Sequence, residues 1–396
     1  MNSRSTLFSV LIMAACLTQF AADIYAPSIP AMARDFEASI DSVQWSMSIY
    51  MFGVAVSQLV YGPLSEGIGR KPPMIFGLLI MLIGSIVCAM TISIDLVIFG
   101  RFVQGIGAGA CASLWRSVFR DSFSKEELAQ YSSYLVTAVM FVIPTAPLIG
   151  GYLQQYFGWY ASFVFMTIYS IIALFGVIFG FRETNTSYHI SKLKMKFVVS
   201  KYLILLRSPT FMGMTCGTFL TYGAFFSWFV IGPVLLIDRL GISPMEFGWL
   251  TFICGGISYG LAGFINGRLV KTWGMTAMLR IGWGSMIISG IAMILGYYLA
   301  GMNIWYIMIP VVLLFFGSTF IWPNAFATAF SPFGDIAGYA GALYGFMQVS
   351  GAAVLAAFAA YLPDDNQLIL AITIIITSTT SWLLYELLVR NDINQT

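Results

Sequence analysis

The chain has 396 residues, of which 59% are hydrophobic and only 9% are Asp, Glu, Lys or Arg. An ordinary soluble domain carries about 25% charged residues, so a water-soluble enzyme is excluded, and a mean hydropathy of +0.85 makes lipid the solvent for most of the chain. The net charge of +2 comes without the basic tract that a nucleic-acid partner would need.

A helix needs roughly 20 apolar residues to cross about 30 Å of hydrocarbon, and in lipid its backbone groups must bond within the segment. Apolar runs predict twelve such spans, near 7–30, 43–62, 73–92, 96–118, 131–154, 159–181, 210–236, 246–266, 277–300, 303–328, 336–361 and 367–389. Met13-Ala14-Ala15-Cys16 has the look of a lipoprotein cleavage box, but the apolar run continues through Ile29, which predicts an uncleaved first span. Of the 19 Lys and Arg, all but Arg34, Arg101 and Arg239 fall on one side if the N-terminus is cytoplasmic. By the positive-inside rule both termini are then expected in the cytoplasm. The longest connection, 182–209, carries Lys192, Lys194, Lys196, Lys201 and the lone His189. It reads as a polar, irregular linker between an N-terminal six-helix half (1–181) and a C-terminal one (210–396). The five cysteines all fall in spans, with no CxxC pair and no metal-ligand spacing.

The loops after spans two and eight repeat each other. Gly62, Leu64, Gly69 and Gly77 match Gly267, Leu269, Gly274 and Gly282 at a constant offset of 205. Leu114-Trp115 and Phe119 are echoed by Ile321-Trp322 and Phe326 at 207. That is about half the chain, as duplication of six spans requires. Two facing halves imply alternating access to a midplane site.

Charge inside the membrane is expensive and therefore marks function. Two residues qualify: Asp23 in span one and Arg101 in span four, each roughly 8–10 Å below the outer surface at 1.5 Å per residue. Desolvation favours the neutral form of a carboxyl and a neighbouring Arg favours the charged form. A shift of Arg101, or entry of a cationic substrate, would therefore load or unload a proton. A static ion pair orienting span four is the alternative. Gln19 shares a helix face with Asp23, and Gln104 with Arg101. Arg116 and Arg120 lie near the inner end of span four, as topology charges or, for Arg116, as a gate contact with Glu66.

Candidate cavity lining is aromatic: Tyr25, then Phe219, Tyr222, Phe226 and Phe229 on span seven, and Phe320 and Trp322 on span ten. Gln58, Asn324 and Gln348 are the main neutral polar groups at depth. So few hydrogen-bonding groups suit an apolar or cationic compound better than a sugar.

Gly62-Pro63-Leu64-Ser65-Glu66-Gly67-Ile68-Gly69-Arg70-Lys71 resembles the signature loop of the major facilitator superfamily. Arg101-Phe102-Val103-Gln104-Gly105-Ile106-Gly107 is similar to that family's fourth-span motif, whose Arg is implicated in proton transfer. Pro144, Pro147, Gly150 and Gly151 resemble the fifth-span antiporter motif, and Asp23-Ile24-Tyr25-Ala26-Pro27 the first-span acidic stretch of twelve-span drug:proton antiporters. With Arg116, Arg120-Asp121, Met302-Asn303-Ile304-Trp305 and Ala340-Gly341-Ala342-Leu343, the resemblance extends to the Bcr/CflA group.

The resemblance implies an all-α membrane protein with twelve helices in two pseudo-symmetric halves. It would act as a monomer in the bacterial inner membrane, exporting small amphipathic or cationic compounds by proton antiport without a cofactor. It makes Gly62, Glu66, Gly69, Arg70 and Arg116 the loop motif and inner gate. Departures are Glu66 for Asp, Gly67 for a basic residue, Val142 and Ala146 for glycines, and Tyr160 for Arg. The larger Val142 and Ala146 predict a looser helix approach there. A carrier of one metabolite, such as a siderophore or a sugar efflux product, would use the same fold. A membrane enzyme lacks support: there is one His, and Asp364-Asp365 reads as a solvated turn. A channel lacks a repeated filter segment.

Overall fold

In the computed structural model, residues 4–122, 125–185, 195–333, 336–362 and 365–390 are described. His189, Lys192, Lys194 and Asp364 lie outside them, as do the side chains of Arg116, Arg120 and Lys196. Every regular element in these segments is a helix, and eleven helices among the described residues are long and apolar enough to cross a membrane. One of them, Pro244–Ala300, is 57 residues long and is broken at Gly274, so it supplies spans eight and nine. Spans two to seven are Ile40–Ile68, Lys71–Met90, Ile94–Ser122, Lys125–Phe157, Tyr160–Gly180 and Pro209–Pro233. Spans ten to twelve are Ile304–Phe330, Ala337–Ala360 and Leu368–Leu384.

Local chemistry starts these helices where the sequence provides caps. The Ser39, Ser208 and Ser243 hydroxyls accept from the backbone three residues on, and Ser243 forms a reciprocal capping box with Glu246. Asn303 accepts from the Trp305 N–H to start span ten. The outer faces are apolar, with Phe76, Phe99, Phe179 and Leu299 all exposed. This pattern fits a lipid solvent and inverts what water selects.

Two elements differ from the sequence reading. Span one is not one helix: its α-helix runs Arg4–Asp23, and a 3-10 turn Ala26–Ser28 and a short helix Ile29–Asp35 complete the crossing. Pro27 and Pro30 cannot donate to a continuing ladder, so the chain breaks just before them. The 182–209 connection is also not irregular throughout, since Met195–Leu206 is a helix. Its Tyr202 ring lies 6.0 Å from Tyr339 at the start of span eleven. The apolar run from Phe197 to Leu206 accounts for it, and the preceding lysines mask it in a composition scan.

Antiparallel spans give the bundle two ends: a basic end, with the loops near 69, 183, 207 and 274, and an opposite end, with the loops near 37, 158 and 241. The offset of 205 has a geometric counterpart. Gly69 (φ 96°, ψ 170°) and Gly274 (φ 78°, ψ 165°) share a backbone conformation that L-residues rarely adopt. A Cβ on Gly77 would lie 2.8 Å from Gly107 O, and one on Gly282 would lie 2.8 Å from Gly317 O. Spans three and four thus approach as spans nine and ten do.

Residues 4–180 and 209–390 meet along two seams, span two with span eleven and span five with span eight. At the opposite end Gln44 donates to Val230 O (3.1 Å) and Trp45 packs edge-on against Tyr361. Toward the basic end, Gly345 and Gly62 on one seam meet Gln58 and Ala342. Built Cβ atoms on Gly260, Gly263 and Gly267, along the basic-end arm of span eight, meet nothing within 4 Å.

Candidate functional site

The break in span one makes the centre of the site. A helix end leaves its last carbonyls without N–H partners and concentrates negative dipole there. Here the helix ends at Asp23, deep in the protein, and the Asp23 side chain is 0% exposed. Gln19, one turn earlier, donates through Nε2 to Asp23 Oδ2 at 2.6 Å. Asp23 Oδ1 has no protein partner.

Arg101 is 1% exposed and answers the same helix end. Its Nη1 donates to the freed Ala21 carbonyl (2.7 Å) and to Gln104 Oε1 (2.5 Å). The guanidinium lies between two aromatic faces, 4.0 Å from the Tyr50 ring centre and 4.5 Å from that of Tyr25. Cation–π contact of this kind contributes about 0.5–2 kcal/mol per ring when desolvated. The rings are themselves held: Tyr50 donates to Thr18 O, and Tyr25 pairs with Ser46. Gln104 passes the chain on to Ser85, which donates to Met81 O. Gly105 lets the Tyr50 backbone press against span four. Arg101 Nε and Nη2 have no protein acceptor, and among the described residues no ion pair joins Arg101 to Asp23. The two charges share one helix end without touching. Tyr25 belongs to this charge site, stacked between Arg101 and Phe163.

Across from Asp23 stands a set of rings from spans seven, eight and ten. Trp322 packs on Tyr222 (5.3 Å) and Phe225 (4.9 Å), Phe225 on Phe315 (5.1 Å), and Phe315 stacks on Tyr259 (5.8 Å, 8°). The 3-10 turn Ala26–Ser28 just after Asp23 packs against spans seven and eight, which brings the two helices that carry Tyr222 and Tyr259 alongside the break. Phe219 and Gln348 are half-buried, and Phe226 is buried against Phe229. Asn324 is turned to Asn266 and to Phe320 O, between spans eight and ten. Phe225, Phe315 and Tyr259 are members that sequence reasoning missed. Tyr259 lies four residues after Gly255, and only the fold shows that this face looks inward.

At the basic end Arg70 is almost wholly buried. It donates to Glu66 (2.7 Å), Asp121 (3.0 Å) and Ser65 Oγ (2.6 Å). Glu183, unremarked in the sequence, accepts from the backbone N–H groups of Arg70 (2.8 Å) and Lys71 (3.0 Å), capping span three. Burial works against its charge. Those bonds and the N–H groups of Asn185 and Thr184 outweigh it and hold the Glu183 carboxyl below the usual carboxylate range. Gly69 sits against this carboxylate, where a Cβ would lie 2.8 Å from Cδ. Among the described residues, Gly62, Glu66, Gly69 and Arg70 thus form one connected end of span two.

Pro144, Pro147, Gly150 and Gly151 line one stretch of span five. Gly150 abuts Ile24 O in the break of span one, and Gly151 abuts Pro244 O at the start of span eight. Adjacent residues therefore touch the Asp23 break and the seam between the halves. Val142 and Ala146 do not loosen this seam, because the glycines stand on span eight. A Cβ on Gly248 would lie 2.7 Å from Pro147 O, and one on Gly255 would lie 2.8 Å from Pro144 Cβ.

The chain is similar to known proteins over most of its length. It is 27% identical over 369 residues to the bicyclomycin resistance protein homolog of Haemophilus influenzae, covering 92% of each chain. It is 29% identical over 367 residues to multidrug resistance protein D of Escherichia coli, covering 91% of this chain and 90% of that one. To multidrug resistance protein MdtM of Salmonella typhimurium it is 29% identical over 322 residues, covering 79% and 76%. The sequence profile of the Major Facilitator Superfamily matches residues 11–358. The described helices, their apolar outer faces and this match agree, and the chain belongs to the Major Facilitator Superfamily of membrane transporters.

Proposed function

We propose that this transporter exports small amphipathic, often cationic compounds from the cytoplasm in exchange for protons, working as a monomer. The observation that carries the reading is the buried Asp23 carboxyl. One oxygen is held by Gln19 and the other has no protein partner, and the turn that follows packs against spans seven and eight of the other half. An apolar aromatic wall with one acid suits a compound whose cationic centre replaces a proton on that acid. Relatives named for resistance to multiple drugs and to bicyclomycin support export of such compounds.

In this reading the basic end is cytoplasmic, since Lys and Arg collect there. The halves 1–181 and 210–396 rock about the two seams. Substrate enters from the basic end, where the arm of span eight carrying Gly260 and Gly263 has open space beside it. Its binding releases the Asp23 proton inward, and the inward proton gradient then drives the outward step. Arg101, fixed by Tyr25, Tyr50 and Ala21 O, supplies a constant positive charge beside the helix end that carries Asp23. Gly150 and Gly151 tie the Asp23 break to the seam, so a change at one strains the other.

The test is transport by purified protein in vesicles under an imposed pH gradient, across a panel of unrelated amphipathic compounds. Gradient-dependent movement of several compounds supports multidrug export. Movement of a single metabolite, or no dependence on the gradient, refutes it.

A further inference from the structure

Two ring donors on spans eight and ten have nothing to donate to. The Tyr259 hydroxyl and the Trp322 indole N–H are buried without a hydrogen-bond partner, in side chains 8% and 6% exposed. Leaving a buried donor unsatisfied is destabilising, so a persistent pair asks for a reason. Both belong to one continuous set of rings, Tyr259–Phe315–Phe225–Trp322–Tyr222. Trp228 and Trp283 also lack partners, but they sit elsewhere, against Phe247 and against Trp382 with Tyr385.

Position matters as much as chemistry. Tyr259 is one helical turn beyond Gly255, where spans five and eight are still in contact through Pro144. Built Cβ atoms on Gly256, Gly260 and Gly263 around it meet nothing within 4 Å. Tyr259 therefore stands one turn past the Gly255–Pro144 contact of the seam. Trp322 lies two turns from Phe315 along span ten, and its neighbour Tyr222 is only half-buried. The set provides flat apolar surface and donors, while the acceptor-rich group nearby is Asp23.

We propose that Tyr259 and Trp322 select substrates by donating to an uncharged oxygen acceptor, such as an aryl ketone, on the compound's apolar body, while its cationic end lies toward Asp23. This rests on the export reading and narrows its substrate class to amphipathic cations that carry a carbonyl or ether oxygen. A neutral hydrogen bond to a buried donor is worth roughly a fivefold to tenfold gain in affinity.

The probes are (4-oxo-4-phenylbutyl)triphenylphosphonium and its carbonyl-free analogue (4-phenylbutyl)triphenylphosphonium, two permanent cations differing in one oxygen. Equilibrium binding to purified full-length protein needs no gradient. Wild type should bind the ketone about fivefold to tenfold more tightly. Tyr259→Phe keeps the ring stacked on Phe315 and removes one oxygen. It should lower that preference several-fold and not lower the thermal midpoint. Trp322→Phe should lower the preference as well. Equal binding of the two probes by wild type, binding of neither, an unchanged preference in Tyr259→Phe, or a destabilised Tyr259→Phe protein each overturns the proposal. Gradient-driven transport of the analogue is measured separately. Its failure with binding intact sinks export and leaves the donor assignment standing.

Discussion

Gly248 offers a direct perturbation of the seam between spans five and eight. A Cβ there would lie 2.7 Å from Pro147 O and 2.8 Å from Leu148 Cα. Both atoms are backbone, so no side chain can turn away. Restoring a contact of about 3.4 Å requires the helices to part by roughly 0.7 Å. Overpacking of this kind costs about 1–3 kcal/mol. The cost falls only on the conformation in which these helix ends touch, so Gly248→Ala shifts the ratio of closed to open by about 5- to 150-fold. Spin labels on the exposed positions Gln155 and Trp249, either side of the seam, report it. Pulsed dipolar spectroscopy should show the longer-distance population growing in Gly248→Ala, with the same helical content. An unchanged distance distribution would refute the idea that this seam closes the opposite end of the transporter.

Two further outcomes follow from the same geometry. In Gly150→Ala the new methyl meets Ile24 O, beside Asp23; gradient-driven transport should fall at least tenfold while the protein still inserts, and wild-type rates would remove the link between span five and the break. Glu183→Ala strips the backbone N–H groups of Arg70 and Lys71 of their acceptor. The Glu183 carboxyl sits below the usual carboxylate range, so its stabilisation is full above about pH 4.3 and is lost as pH falls through the lowered value. Thermal midpoints of wild type and variant should therefore differ at pH 7 and converge in acid. A gap that widens in acid contradicts the assignment.

The spans were readable because hydrocarbon imposes a length and bans unpaired backbone, which leaves a strong mark in composition. Asp23 and Arg101 stood out for a related reason, since so few charges remain at depth. Their arrangement was not readable. Pro27 and Pro30 were visible, yet the break they accompany, and the Ala21 carbonyl it frees for Arg101, depend on span four lying alongside. Val142 and Ala146 suggested a loose seam because a single sequence shows one helix face at a time, and the compensating Gly248 and Gly255 are over a hundred residues away. Glu183 and Tyr259 carried no local signal, being one acid in a polar loop and one aromatic in an apolar span. Asn324 reads as cavity lining by its polarity, while its bond to Asn266 depends on tertiary packing that a sequence does not show.

The account turns on Asp23 as the proton carrier. The most direct measurement compares wild type with Asp23→Asn in vesicles under the same imposed pH gradient, with substrate binding followed in parallel. Asparagine keeps the size and the Gln19 contact but holds no exchangeable carboxyl proton. The account predicts that gradient-driven export is abolished while the variant still inserts, and that binding of cationic compounds weakens with the lost charge. Export at the wild-type rate by Asp23→Asn would contradict it.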